Sequence, residues 1–205
     1  MSRLDLVFFL AVLLAGAALA SSLHRVEVNG VQYDTIADGL LANRNTAQVT
    51  LALGGVHTEL VRMPDDHHVV ALNITSVSGV RARLPGDMLV DTVRFLTLFH
   101  VEFDGLSANG TYLVEGGVLK HTGLEIVDVV FRNFIEAPVL SVHAHLDDID
   151  IAVDNCMFYN CGRPFITSTG HRSFYDGYNR RLGEADGTPT EVSVDAPTHD
   201  ENDEM

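Results

Sequence analysis

The chain has 205 residues, ten His, two Cys, no Trp and a formal charge of −15, long enough for one domain with a sizeable core. An acidic balance of that size argues against nucleic acid and anionic membrane as partners, because both call for a basic surface. Part of the charge is local: Glu184, Asp186, Glu191, Asp195, Asp200, Glu201, Asp203 and Glu204 stand against no Lys or Arg from residue 184 onward.

Residues 1–20 read as a signal peptide. Arg3 gives a positive start, Val7 to Ala15 an apolar stretch, and Ala18-Leu19-Ala20 a small-x-small cleavage site. A signal anchor is the alternative, but the run is short and rich in Ala and Gly, and no second apolar run of spanning length follows. Cleavage before Ser21 is expected, giving a secreted or lumenal product without a stable membrane span.

Residues 21–48 hold a leading strand and a capping helix. Val26, Val28, Val31 and Tyr33 alternate weakly, as one strand does. Ile36, Ala37, Leu40 and Leu41 then follow helical spacing, with Asp34 or Thr35 as N-cap and Asn43 to Asn45 as the exit.

From Val49 to Gly170 a repeat takes over. Its clearest copies are Leu96 to Leu106, Leu124 to Phe134 and Ile151 to Cys161, in which an apolar mask of alternating residues ends on Phe103, Phe131 and Phe158. Leu72 and Ile74 match one copy earlier, and Val49 and Leu51 the copy before that. Alternation over three to five residues is strand periodicity, and Asp104-Gly105, Arg132-Asn133 and Tyr159-Asn160 are turn chemistry. A period of roughly 25 residues with short strands and tight corners predicts an all-β fold, a right-handed parallel β-helix of about five rungs. Its open end needs an amphipathic cap, which the short helix supplies. The three Phe form a core stack. Pro64 to His68, Leu84 to Asp87 and Asn109 to Gly117 read as loops between rungs.

These residues resemble the pectin-lyase-like β-helix superfamily, particularly its non-enzymatic extracellular repeats. Cys156-Met157-Phe158-Tyr159-Asn160-Cys161-Gly162 is similar to a rung of the polymorphic-outer-membrane-protein type, where a Phe is followed closely by Asn. The helix followed by Val49 to His57 also resembles the superfamily's opening. The resemblance covers about residues 31–170 and lacks the Gly-Gly that usually follows such a rung. It implies a β-helix and, in the enzymes of the superfamily, clustered Asp on neighbouring rungs with a catalytic Arg or Lys. Here Asp147, Asp148, Asp150 and Asp154 fall within one rung, which departs from that pattern.

Beyond the repeat, residues 171–183, with Phe174, Tyr175, Tyr178, Arg172, Arg180 and Arg181, read as a polar-aromatic C-terminal cap or a partner surface. Residues 184–205 read as a disordered acidic tail. The rival is a return of Val192-Ser193-Val194 to pair with an exposed strand.

Four groups carry candidate chemistry. Ser76, His100, Asp128 and Asn155 align in a column at one corner, where His100 beside Asp128 offers an acid–base pair; ordinary corner polarity is the alternative. His143 and His145 share a strand face, with Glu115 one rung below as a third metal ligand; the alternative is two solvated histidines. Cys156 and Cys161 form either a disulfide or two buried thiols. Asn73 and Asn109 open glycosylation sequons, meaningful only in a eukaryotic secretory route. Asn133 and Asn160 stack at a second corner and read as structural.

The expected function is that of a secreted, non-catalytic binding, adhesive or surface-coat module whose partner is a carbohydrate or a cell-surface protein. The competing expectation is a carbohydrate-active enzyme, a polysaccharide lyase or glycosidase relative. No cofactor is expected for the module; calcium enters only with the enzyme.

Overall fold

The computed structural model describes residues 24–77, 79–86, 88, 90, 93–105, 123–134 and 151–161, with the backbone alone at 89, 140–143, 149–150, 166–169, 172–176, 180–182 and 194–195. The expected signal peptide, Asn109, Glu115, His145 and most of the acidic tail lie outside these residues. No helix among the described residues is long and apolar enough to cross a membrane.

The fold is mostly strand with one short helix. Two strands, β1 (His24–Val28) and β2 (Val31–Tyr33), open it. The expected single leading strand is thus a hairpin, turned at Asn29-Gly30 with φ of 51° and 82°. Asn-Gly tolerates positive φ at both central turn positions, and this overrides the weak alternation running through it. Helix α1 (Ile36–Ala42) follows, its N-cap Thr35 accepting a hydrogen bond from the Asp38 amide and Asn43 closing the other end, as the spacing predicts. Ile36 and Leu40 are fully buried. At Gly39 a Cβ would lie 2.5 Å from Val28 Cγ2, so only glycine lets the helix cross β1 this closely.

The largest sheet then gathers six parallel strands: β3 (Gln48–Gly55), β5 (Ala71–Ser76), β8 (Phe95–Phe99), β10 (Gly123–Val127), β13 (Ile149–Asp154) and β16 (Arg172–Asp176), with β1 and β2 added antiparallel at its N-terminal edge. A second parallel sheet holds β6 (Ala82–Pro85), β9 (Val101–Asp104), β11 (Val130–Arg132), β14 (Met157–Tyr159) and β17 (Arg180–Leu182). Two smaller parallel sheets pair β4 (Val61–Arg62) with β7 (Met88–Leu89), and β12 (Leu140–His143) with β15 (Ile166–Thr169) and β18 (Val194–Asp195). After every strand of the first sheet from β5 on, the chain enters the second.

Register carries the apolar mask from strand to strand. Val49, Leu72, Leu96, Leu124 and Ile151 form one inward column, and Leu51, Ile74, Leu98, Ile126 and Val153 the next. Every member of both is at most 3% exposed, the outcome that strict alternation demands when one sheet face is packed. In the second sheet Leu84, Phe103, Phe131 and Phe158 are aligned. The phenyl rings stack at 5.9 and 5.3 Å between centroids, with interplanar angles of 14° and 18°. Phe134 meets Phe131 edge-on.

Three expectations are corrected. Leu84 and Pro85 belong to a strand, with Leu84 buried under Phe103, and not to a loop. Arg172–Asp176 and Arg180–Leu182 are no separate cap: β16 and β17 continue both sheets, giving six parallel strands where about five rungs were expected. Their mask was illegible because Arg172 takes the register of Ile149 and Arg181 that of Phe158; only Phe174 keeps an apolar position, beside Ile151. Within the acidic tail, Val194–Asp195 pairs with β15, so backbone pairing at an open edge holds that short piece despite its composition.

Candidate functional site: a charged corner column

The corner that leaves the largest sheet turns by a left-handed residue on the three passes after β8, β10 and β13. His100, Asp128 and Asn155 have φ of 55°, 54° and 51°. Polar short side chains visit this region most readily because they can bond locally. Stacking by register then brings together what the sequence separates by 27 or 28 residues.

Here His100 Nδ1–H donates to Asp128 Oδ2 at 2.5 Å, and Asn155 Nδ2 donates to Asp128 Oδ1 at 3.3 Å. Ser76 Oγ donates to the His100 carbonyl at 2.6 Å and accepts from the Ala82 amide at 2.8 Å. The four aligned residues thus meet as a hydrogen-bonded column. Spacing missed its cation. Arg81, in the connection between β5 and β6, pairs with Asp128 Oδ1 through Nη2 and bonds the Asp128 carbonyl through Nε at 3.3 Å. Arg81 lies 47 residues from its partner and in no repeat position, so periodicity carries no signal for it.

Side-chain exposures of 28%, 24% and 21% for Arg81, His100 and Asp128 make this a half-closed site. Burial alone would raise the Asp128 pKa, but the His100 hydrogen bond and the charge and hydrogen bond of Arg81 outweigh it and hold the carboxyl below its ordinary 3.8. The remaining imidazole nitrogen, His100 Nε2, is shut off from solvent and has no hydrogen-bond partner. A general base must reach the proton it abstracts. This nitrogen is buried.

The second corner, after the Phe-bearing strands, is a polar ladder. Asn160 Nδ2 donates to Asn133 Oδ1 at 3.1 Å, and Asn133 Nδ2 to Asp104 Oδ1 at 2.9 Å. Arg83 closes it on Asp104 Oδ2. Beside it Glu102 bridges Arg83 and Arg132, and the Arg132 guanidinium sits 4.2 Å from the centroid of the Tyr159 ring.

Cys156 and Cys161 are buried thiols, the second of the two alternatives, and not the bridge. The strand Met157–Tyr159 lies between them, and three extended residues advance about 10 Å, beyond the Cα separation of about 4.4–6.8 Å that a disulfide spans. Each Sγ–H lies instead near a main-chain carbonyl, Ile126 or Asp154 for Cys156 and Phe131 or Tyr159 for Cys161, at 3.3–3.6 Å. Burial pushes the Cys156 thiol up to about 12.

His143 ends β12, paired with Thr169 of β15; its two proposed co-ligands, His145 and Glu115, lie outside the described residues. Asn73 sits exposed in mid-strand β5. Two further features escaped the sequence reading. Glu59 accepts the Ile36 and Ala37 amides, both at 2.8 Å, fastening the helix N-terminus. Buried His57 donates Nε2–H to the Gly54 carbonyl at 3.0 Å and packs 4.4 Å from the His24 ring.

Comparison with known proteins gives no match: no family model, no curated protein and no solved structure is similar to this chain.

Proposed function

We propose that this chain is a secreted right-handed parallel β-helix that acts without catalysis, as an extracellular binding, adhesive or surface-coat module. Support for the β-helix comes from successive passes through the same sheets in the same order, with inward columns kept in register and a left-handed residue at each of two corners. Six passes at strand spacing make a stack about 24 Å long between its first and last strands, bounded at one end by α1 and the opening hairpin.

The non-catalytic reading rests on one observation: the one acid–base pair that spacing singled out is closed. Asp128 has both oxygens engaged by His100, Arg81 and Asn155, and the leftover His100 nitrogen is buried. Charged groups tied from pass to pass strengthen the stack, and their loss weakens it. The partner in this reading is a carbohydrate or a cell-surface protein.

The test is incubation of the secreted chain with acidic polysaccharides, with and without calcium, beside glycan-array and cell-binding measurements. Binding without cleavage is expected. Release of unsaturated or reducing ends, abolished by His100→Ala or Asp128→Asn variants that remain folded, would replace the module with a polysaccharide lyase or glycosidase.

A further inference from the structure

On the outer face of the large sheet two phenylalanines stand in water. Phe95 and Phe99, at the two ends of β8, are 49% and 48% exposed. An aromatic pair left open on a packed sheet asks for an explanation, since burying each ring would be favourable. Between them runs a row of small and polar residues set by register: Thr50, Asn73, Thr97 and Glu125. Asn73 is exposed, its successor Ile74 is fully buried, and Thr75 returns to the outer face. The asparagine and the hydroxyl of Asn73-Ile74-Thr75 therefore share the solvent side, as period-two geometry requires.

We propose that Asn73 carries an N-linked glycan whose first sugars lie on Phe95 and Phe99. Thr97 lies directly opposite Asn73, and both phenylalanines lie on the adjacent diagonals, about 7–8 Å away. A sugar ring attached at Asn73 reaches that distance. Its apolar C–H face packs on a phenyl ring while its hydroxyls meet Thr97 and Glu125. The Phe95 ring lies over Gly123 of β10, on the side of β8 away from Asn73, where a Cβ would come within 3.1 Å of Cδ1, so the sugar reaches it by crossing the small Thr97 side chain. The neighbours of Phe95 and Phe99 on β5 are Ala71 and Thr75, small enough to leave the approach open.

The modification itself is a group transfer. Asn73 Nδ2 attacks C1 of an oligosaccharide carried on a lipid pyrophosphate. The N–C1 bond forms as the C1–O bond breaks, the lipid pyrophosphate departs, and the amide proton passes to the medium. The proposal rests on the secretory reading, which supplies donor and transferase.

The experiment is expression of the full chain in a eukaryotic secretory host, with glycopeptide mass spectrometry and thermal melting. A glycan on Asn73 is expected, and the glycosylated chain should melt about 2–4 °C above Asn73→Gln. In a Phe95→Ser/Phe99→Ser background that gap should close, and in a Phe95→Tyr/Phe99→Tyr background it should persist. A secreted chain bare at Asn73 would overturn the inference and leave secretion standing. An equal gap with and without the aromatic pair would overturn the seat. Retention inside the cell with residues 1–20 still attached would defeat both the inference and the secretory reading.

Discussion

The two corners that flank the Phe-bearing strands meet the same backbone demand with different chemistry. His100, Asp128 and Asn155 hold φ between 51° and 55° at one; Asn133 and Asn160 hold 61° and 51° at the other. At the second corner each amide donates to the residue one pass earlier, a bond that any further Asn could extend. At the first, a carboxylate accepts from a histidine on one side and an asparagine on the other, and needs Arg81 to balance it. The amide-to-amide bond of Asn160 with Asn133 has no regard for pH, although the ladder ends on the Asp104 carboxylate. A charged corner is stronger bond for bond and depends on protonation.

The largest expected effect removes both corners at once. Phe131→Asp would place a charge between Phe103 and Phe158 in a site 1% exposed, and a loss of more than about 4 kcal/mol is expected. Cooperative melting should disappear; a variant that melts like the wild type would show the inward columns to be wrong.

Next, Asp128→Asn tests the charged corner alone. It breaks the pairing with Arg81 and weakens the His100 bond, at an expected cost of about 2 kcal/mol near neutral pH. Because the folded carboxyl titrates below its ordinary 3.8, its stabilisation is complete above that value and fades as pH falls through the folded pKa. Chemical denaturation at several pH values should therefore show the gap between variant and wild type closing on the acid side. A gap constant down to pH 2 would remove Asp128 as the source.

Asn160→Ala is the counterpart at the amide corner, since its side chain bonds the Asn133 amide. Forcing Ala into the left-handed region costs about 1–2 kcal/mol, and the loss should be the same at pH 4 and pH 8. A pH-dependent loss would erase the distinction between the corners. Acid also acts at His57, where burial first and the neighbouring His24 second hold the pKa below 6.5, against the Gly54 carbonyl and Glu59. The unfolded chain takes up that proton near pH 6.5 while the fold resists it, so stability should decline as pH drops below 6.5. His57→Gln should flatten that part of the profile.

The smallest effect concerns the thiols between the corners. With its pKa at about 12, Cys156 should resist alkylation at pH 8 in the native state and react only on unfolding. Rapid native labelling, read by mass, would contradict its burial.

How much was legible follows from what repeats. The contact of His100 with Asp128 and the Asn133–Asn160 ladder emerged from spacing alone, because a stacked register converts a constant period into adjacency. Arg81 and Glu59 did not, since each reaches its partner from an irregular connection that has no counterpart in other passes. The last pass escaped for a different reason: β16 and β17 are held by backbone pairing to their neighbours while carrying Arg where earlier strands carry Ile and Phe.

By itself, then, the sequence determined the strand alternation, the Phe column, the polar corner columns and the helix with its cap at Asp34 or Thr35, local preferences mostly repeated at a readable interval. Tertiary structure alone decided that Arg81 neutralises Asp128, that Cys156 and Cys161 stand too far apart to bridge, and that Phe95 and Phe99 flank Asn73 on an open face. Those outcomes depend on distances between segments remote in the chain, which are set by the register of the packed sheets and by the course of the connections between them.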